Sequence, residues 1–165
     1  METHLRIRDA DPGSTLGIVR ELFREYAAAL GFGLEFQDFE AELAGLPGPY
    51  APPGGCLLVA EAGDGPVRFG GCVALRDLGC GVCEMKRLYV RPWFRGQGLG
   101  RRLAETVIAR AKNMDYARMR LDTIATMAQA NGLYQSLGFS PIPAYCPNPI
   151  PGALFYELRL TPAAA

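Results

Sequence analysis

The sequence has no surplus of charge of either sign: 17 lysines and arginines balance 17 aspartates and glutamates over 165 residues. The net positive charge of a dedicated nucleic-acid binder is therefore missing. There is one histidine, His4, and the five cysteines, Cys56, Cys72, Cys80, Cys83 and Cys146, have no framework spacing. Cys80 and Cys83 form a lone two-residue spacing with no second pair, and His4 lies far off, so reduced thiols near a strand start are expected and no metal. No apolar run approaches the roughly 20 residues needed to span a bilayer. The N-terminus carries Glu2, His4, Arg6 and Arg8 where a signal peptide needs an apolar core. These absences predict a soluble cytoplasmic protein without nucleic-acid or membrane partners, as a monomer or homodimer.

What is present is ordinary globular composition, 49% hydrophobic and 21% charged, in a length that suits one domain over residues 1–165. The most informative stretch runs from Glu84 to Leu103. Val82 to Val90 is apolar and suited to a strand, which Arg91-Pro92 ends because proline lacks a ladder amide. Gly96, Gly98 and Gly100 follow at alternate positions, allowing a tight turn and close approach of a ligand to the backbone. From Leu99 the apolar spacing becomes helical, through Leu103, Val107, Ala111 and Met114. A strand that passes through glycines into a helix N-terminus is an anion site, since free amides and the helix dipole both favour negative charge there. Arg95, Arg101 and Arg102 add positive charge.

The anion is not held in a P-loop, because no Gly-x-x-x-x-Gly-Lys-Ser/Thr occurs. The dinucleotide fingerprint also fails, since Arg101 stands where glycine or alanine is needed. Arg95-Gly96-Gln97-Gly98-Leu99-Gly100 instead resembles the Arg/Gln-x-x-Gly-x-Gly/Ala signature of the GNAT superfamily of N-acetyltransferases, which holds the pyrophosphate of acetyl-CoA. Periodicity along the chain predicts the order β-α-α-β-β-β-α-β-α-β-β, with helices at Gly13 to Leu30, Glu35 to Leu46, after Leu99, and Thr126 to Leu137, and final strands at Phe139 to Tyr145 and Ala153 to Leu160. That order is similar to the GNAT fold, an α/β (α+β) architecture with a mixed, largely antiparallel sheet of about seven strands flanked by four helices.

The resemblance implies transfer of an acetyl group from acetyl-CoA, as co-substrate, to a primary amine by direct attack through a tetrahedral intermediate. An ammonium with a pKa of about 10 needs a base to react at neutral pH. Glu84 lies eleven residues before Arg95, the offset of the glutamate base in the histone acetyltransferase branch; pairing with Lys86 or another cation across the sheet is the structural alternative. Ala130-Asn131-Gly132-Leu133-Tyr134-Gln135-Ser136-Leu137-Gly138-Phe139 resembles the family's Ala-x-x-Leu-Tyr-x-x-x-Gly-Phe segment, which implies Tyr134 as the acid for the leaving thiolate. By the same resemblance the main chains of Leu88, Tyr89 and Val90 contact the pantetheine arm. Met127 stands where many relatives have a cofactor-contacting asparagine, and Asn131, one turn on, is the candidate substitute. The acceptor region would lie around Tyr26, Phe32, Gly33, Glu35, Pro141 to Tyr145 and Asn148. Balanced charge and the proline-rich loop from Pro141 to Pro151 favour a small-molecule amine. A protein N-terminus or lysine, and a CoA-binding sensor without turnover, are the alternatives.

Overall fold

A computed structural model describes residues 4–34, 38–63 and 68–161. Glu35 and Phe36 in the second predicted helix, the turn signal Asp64-Gly65-Pro66, Val67 at the head of the next predicted strand and the alanine tail lie outside the described residues. Seven strands and four helices follow the predicted order: β1 (Leu5–Asp9), α1 (Leu16–Leu30), α2 (Phe39–Gly45), β2 (Cys56–Ala62), β3 (Phe69–Gly79), β4 (Val82–Val90), α3 (Leu99–Asn113), β5 (Arg118–Ile124), α4 (Ala128–Ser136), β6 (Ser140–Pro141) and β7 (Ala153–Arg159). They form one sheet in the order β1-β2-β3-β4-β5-β7-β6, antiparallel except where β4 meets β5.

Strand alternation sorts the apolar residues onto two faces. Leu58, Ala60, Val73, Leu75, Cys83, Met85, Met119 and Leu121 face α3 and α4, and pack on Leu99, Leu103, Val107 and Tyr134. Leu57, Val59, Cys72, Ala74 and Tyr89 face α1 and α2, and pack on Val19, Leu22, Phe23 and Leu43. Each helix pair thus covers one face.

Three elements are shorter than their sequence patterns suggest. α1 starts at Leu16 because the Asp11 carboxylate takes the Gly13 amide at 3.3 Å and the Asp11 amide donates to Thr15 Oγ1 at 3.0 Å, which holds 11–15 in a turn. α2 begins at Phe39, after Asp38 in the left-handed region at φ 52°. β6 shrinks to two residues since Pro141 and Pro143 bring no amides to a ladder.

Two irregularities in β4 shape the site. Cys72 opposes Tyr89 while Ala74 opposes Lys86, so Val73 alone faces Arg87 and Leu88. This is a β-bulge, with Arg87 left-handed at φ 60°. The other is a splay. β4 and β5 pair only at Val82–Arg118, Cys83–Met119 and Glu84–Arg120, after which β4 runs on to Val90 and β5 to Ile124 without pairing.

Candidate active site

The splay opens a cleft of about 550 Å³ between β4, the start of α3, the start of α4 and the C-terminal half of α1. That is within the usual range for small-molecule sites. One end of the cleft is formed by the glycine turn into α3. Gly96 and Gly98 have φ 77° and 75°, conformations that favour glycine. Gly98 is the N-cap of α3, so no side-chain oxygen covers the first-turn amides, which have no partner within the helix. No acidic residue stands in that turn either, while Arg101 and Arg102 do, a charge placement that is unfavourable beside the positive helix end unless an anion joins it. Arg95 donates through Nε to the Val90 carbonyl at 2.9 Å, which fixes its guanidinium at the cleft wall.

The roof is α1, and one buried cation holds it. Arg91 donates to both oxygens of Glu25 at 3.0 Å, to Glu21 at 2.7 Å and to the Phe69 carbonyl at 3.1 Å. With the end of β4 tied to α1 in this way, Tyr26, Ala29 and Leu30 close over the cleft. Read from the sequence, Arg91 is only the residue before a proline that ends β4.

Of the predicted cofactor residues, Leu88, Tyr89, Val90, Arg95, Gly96, Gly98, Leu99 and Gly100 line the cleft. Gln97 is exposed and does not line it. Arg101 also points elsewhere, donating to Ser136 Oγ at 2.6 Å and pairing with Glu105 at 3.6 Å. Asn131 is buried, donates through Nδ2 to the Ile124 carbonyl at 2.9 Å, and leaves Oδ1 without a partner. It ties α4 to the end of β5, and Met127 is the residue that lines the cleft at that level.

A smaller polar cavity continues from the cleft into the gap between β4 and β5, bounded by Tyr26, Lys86, Arg87, Asp122, Met127 and Tyr134 among others. Tyr134 is 7% exposed and packs on Phe139 and Tyr156 with ring centroids 5.9 and 6.4 Å apart. Burial, reinforced by Tyr26 and Asp122, raises its phenol above the ordinary value of 10. The hydroxyl therefore keeps its proton through the neutral and mildly alkaline range.

Glu84 is 1% exposed and lines neither the cleft nor the cavity beneath it. Its carboxylate accepts from Arg76 Nε at 2.7 Å and from the Tyr145 hydroxyl at 2.6 Å, with Lys86 Nζ at 3.8 Å. Pairing across the sheet, the alternative weighed from the sequence, is what the structure displays. Of the acceptor candidates, Tyr26 and Asn148 border the gap, Tyr145 is turned down onto Glu84, and Phe32 is exposed. Asp122 went unnoticed, because a single acid near the end of a core strand reads as an edge residue. Cys80 is exposed and Cys83 is buried with its thiol pushed up to about 12. Among the described residues no three potential ligand side chains gather to hold a metal, and no helix is long and apolar enough to cross a membrane.

Comparison with known proteins agrees with this geometry. The family model for the acetyltransferase (GNAT) domain matches residues 53–141, more than half of the chain. An uncharacterized N-acetyltransferase of Schizosaccharomyces pombe is 41% identical over 141 residues, covering 85% of each chain. Among solved structures, one described as an acyl-CoA N-acyltransferase from Klebsiella pneumoniae superposes with a TM-score of 0.70 at 29% identity, covering 96% of this chain and 99% of that one. A GNAT family acetyltransferase from Elizabethkingia anophelis, solved with acetyl-CoA bound, has a TM-score of 0.67 at 21% identity, covering 96% and 99%. A strand splayed beside an uncapped, glycine-led helix thus has its counterpart in sequence: the chain belongs to the GNAT superfamily and is an N-acetyltransferase.

Proposed function

We propose that the protein transfers the acetyl group of acetyl-CoA to a primary amine carried by a small molecule. One observation carries the reading: the cleft joins the uncapped N-terminus of α3 to the stretch of β4 that has parted from β5, and continues into the cavity that Tyr134 lines. These parts suit the co-substrate in order. The first-turn amides of α3 and Arg95 would hold its diphosphate, and the main chain of Leu88, Tyr89 and Val90 would hold its pantetheine arm. When bound, acetyl-CoA supplies an activated acyl carbon and a thiolate leaving group. Tyr134 Oη holds a proton at the inner end of the cleft and gives it to the departing sulfur. Tyr26 and Leu30 shield that end from water. Glu84 acts as the buried anchor that keeps Tyr145, and with it the loop after β6, against the sheet.

The walls of the acceptor side support a small molecule: Leu30 and Leu34 stand close beside Asp122, opposite Asn148 and Ile150. Thiol release measured over a panel of small primary amines, N-terminal peptides and lysine peptides tests this directly. Turnover greatest on a small amine is expected; a peptide as the best acceptor would overturn the small-molecule reading. Tyr134→Phe is expected to lower turnover about 100-fold, within the usual range for a general acid, while calorimetry shows unchanged CoA affinity. An unchanged turnover would remove Tyr134 from the proton path.

A further inference from the structure

The acid at the junction between the cleft and the acceptor side is Asp122. Beyond the last β4–β5 pair, Glu84–Arg120, the next outward-facing residue on β5 is Asp122, level with Lys86 across the gap. Its carboxylate is half-buried, borders both the polar cavity that holds Tyr134 and the small acceptor cavity, and is oriented by Asn148 Nδ2 at 3.1 Å. It is near enough to Tyr26 from α1, Lys86 from β4, Tyr134 from α4, and Tyr145 and Cys146 from the loop after β6 to act on the charge of each. Glu84, in contrast, is enclosed and lines neither of the two cavities.

We propose that Asp122 receives the acceptor ammonium at this junction and takes its proton. The proposal rests on the acetyl-transfer reading above.

The proton and bond balance is complete within the chain and solvent. The acceptor nitrogen loses two protons. The first passes to Asp122 and from there to solvent. The freed lone pair forms the C–N bond to the acyl carbon; collapse of the tetrahedral adduct then breaks the C–S bond, and the sulfur takes the Tyr134 proton. The second proton, leaving the nitrogen as it becomes an amide, restores the Tyr134 hydroxyl. Lys86 and Arg87, which border the same cavity, favour the neutral amine over the ammonium, since nearby cations disfavour another positive charge.

The test uses the best acceptor from the panel, whether amine or peptide. Asp122→Asn is expected to lower kcat/KM about 100-fold or more at pH 7. The deficit should shrink as pH rises past the acceptor's own pKa, where the amine arrives already neutral. Calorimetry should show CoA affinity unchanged and acceptor binding to the CoA-loaded protein weakened. Asn148→Ala, which removes the orienting bond together with the bond that Asn148 Oδ1 accepts from the Ile150 amide at 3.1 Å, should lower kcat several-fold with a smaller change in acceptor KM, giving a second measurement if Asp122→Asn folds poorly. Parent-like kcat/KM and an unchanged pH profile in a folded Asp122→Asn would overturn the proposal. So would the reverse pattern, in which Glu84→Gln shows the pH-dependent loss and Asp122→Asn does not. Turnover on peptides alone, still lost in Asp122→Asn, would overturn the small-molecule reading and leave Asp122 in place; thiol release on no acceptor at all would overturn both.

Discussion

Arg87→Met is expected to lower the free energy of unfolding by about 3–5 kcal/mol, the usual cost of removing one partner of a buried ion pair. For a domain of this size that is a fall in Tm of about 10 °C. Arg87 is 3% exposed, donates through Nε and Nη2 to the two oxygens of Glu42 at 2.9 and 3.0 Å, and lies 5.6 and 5.3 Å from the ring centroids of Tyr26 and Phe39. Methionine replaces much of the packing and none of the charge. The Glu42 carboxylate would then keep the Tyr50 hydroxyl at 3.0 Å and lose its main counter-charge. Adding Glu42→Gln should recover part of the loss, because the stranded charge goes with it. Urea denaturation of the two variants decides the matter: a single-variant loss below about 1 kcal/mol would mean that the pair contributes no more than a surface bridge.

Gly71→Ala should damage stability and cofactor binding together. An added Cβ there would run into the Tyr89 carbonyl oxygen and come within 3.2 Å of Leu103 Cδ1 and 3.3 Å of Val90 Cα. Two of those three neighbours are β4 backbone, which cannot rotate away, so the strand itself must shift. Overpacking of this kind costs about 1–3 kcal/mol. Because Tyr89 and Val90 line the cleft, CoA affinity should fall about tenfold as well, which corresponds to about 1.4 kcal/mol. Gly17→Ala provides the contrast. Nothing lies within 4 Å of its added Cβ and it sits in the first turn of α1, so it should be neutral or stabilising by a few tenths of a kcal/mol. Equal stability and equal CoA affinity in Gly71→Ala and the parent would show that β3 and β4 have slack at this point.

The elements were legible because their signals are local. An apolar, strand-suited run ended by Arg91-Pro92 marked β4, whose limits at Val82 and Val90 match it, and three glycines at alternate positions marked the turn into α3. Gly70 and Gly71 on β3 are both crowded, by Phe94 and by β4 respectively. What lay hidden depends on partners distant in sequence. No periodicity reveals that β4 and β5 separate after Glu84, because alternation describes a strand's faces and not the distance to its neighbour. Glu84 looked like a base from its offset alone, yet Arg76 on β3 and Tyr145, 61 residues away, enclose it. Asn131 looked like a cofactor contact one turn from the usual place, but the end of β5 claims its side chain. Asp122 gains its position only from the same strand separation.

Among the described residues, the seam between β1–β4 and the group formed by β5, β7 and β6 has three register pairs, between β4 and β5, extended at one end by the Ala117 amide on the Gly81 carbonyl at 2.8 Å. β5 and β7 share seven register pairs, Arg118–Arg159 through Ile124–Ala153, so each half is better knit internally than the halves are to one another. The sheet is thus two plates joined at a short hinge, with the cleft as the opening between them. A ligand lying along Leu88–Val90 and against the start of α4 would act as a rivet across both plates. Its binding should slow amide exchange in β5 and β7, which it does not touch, as well as in β4.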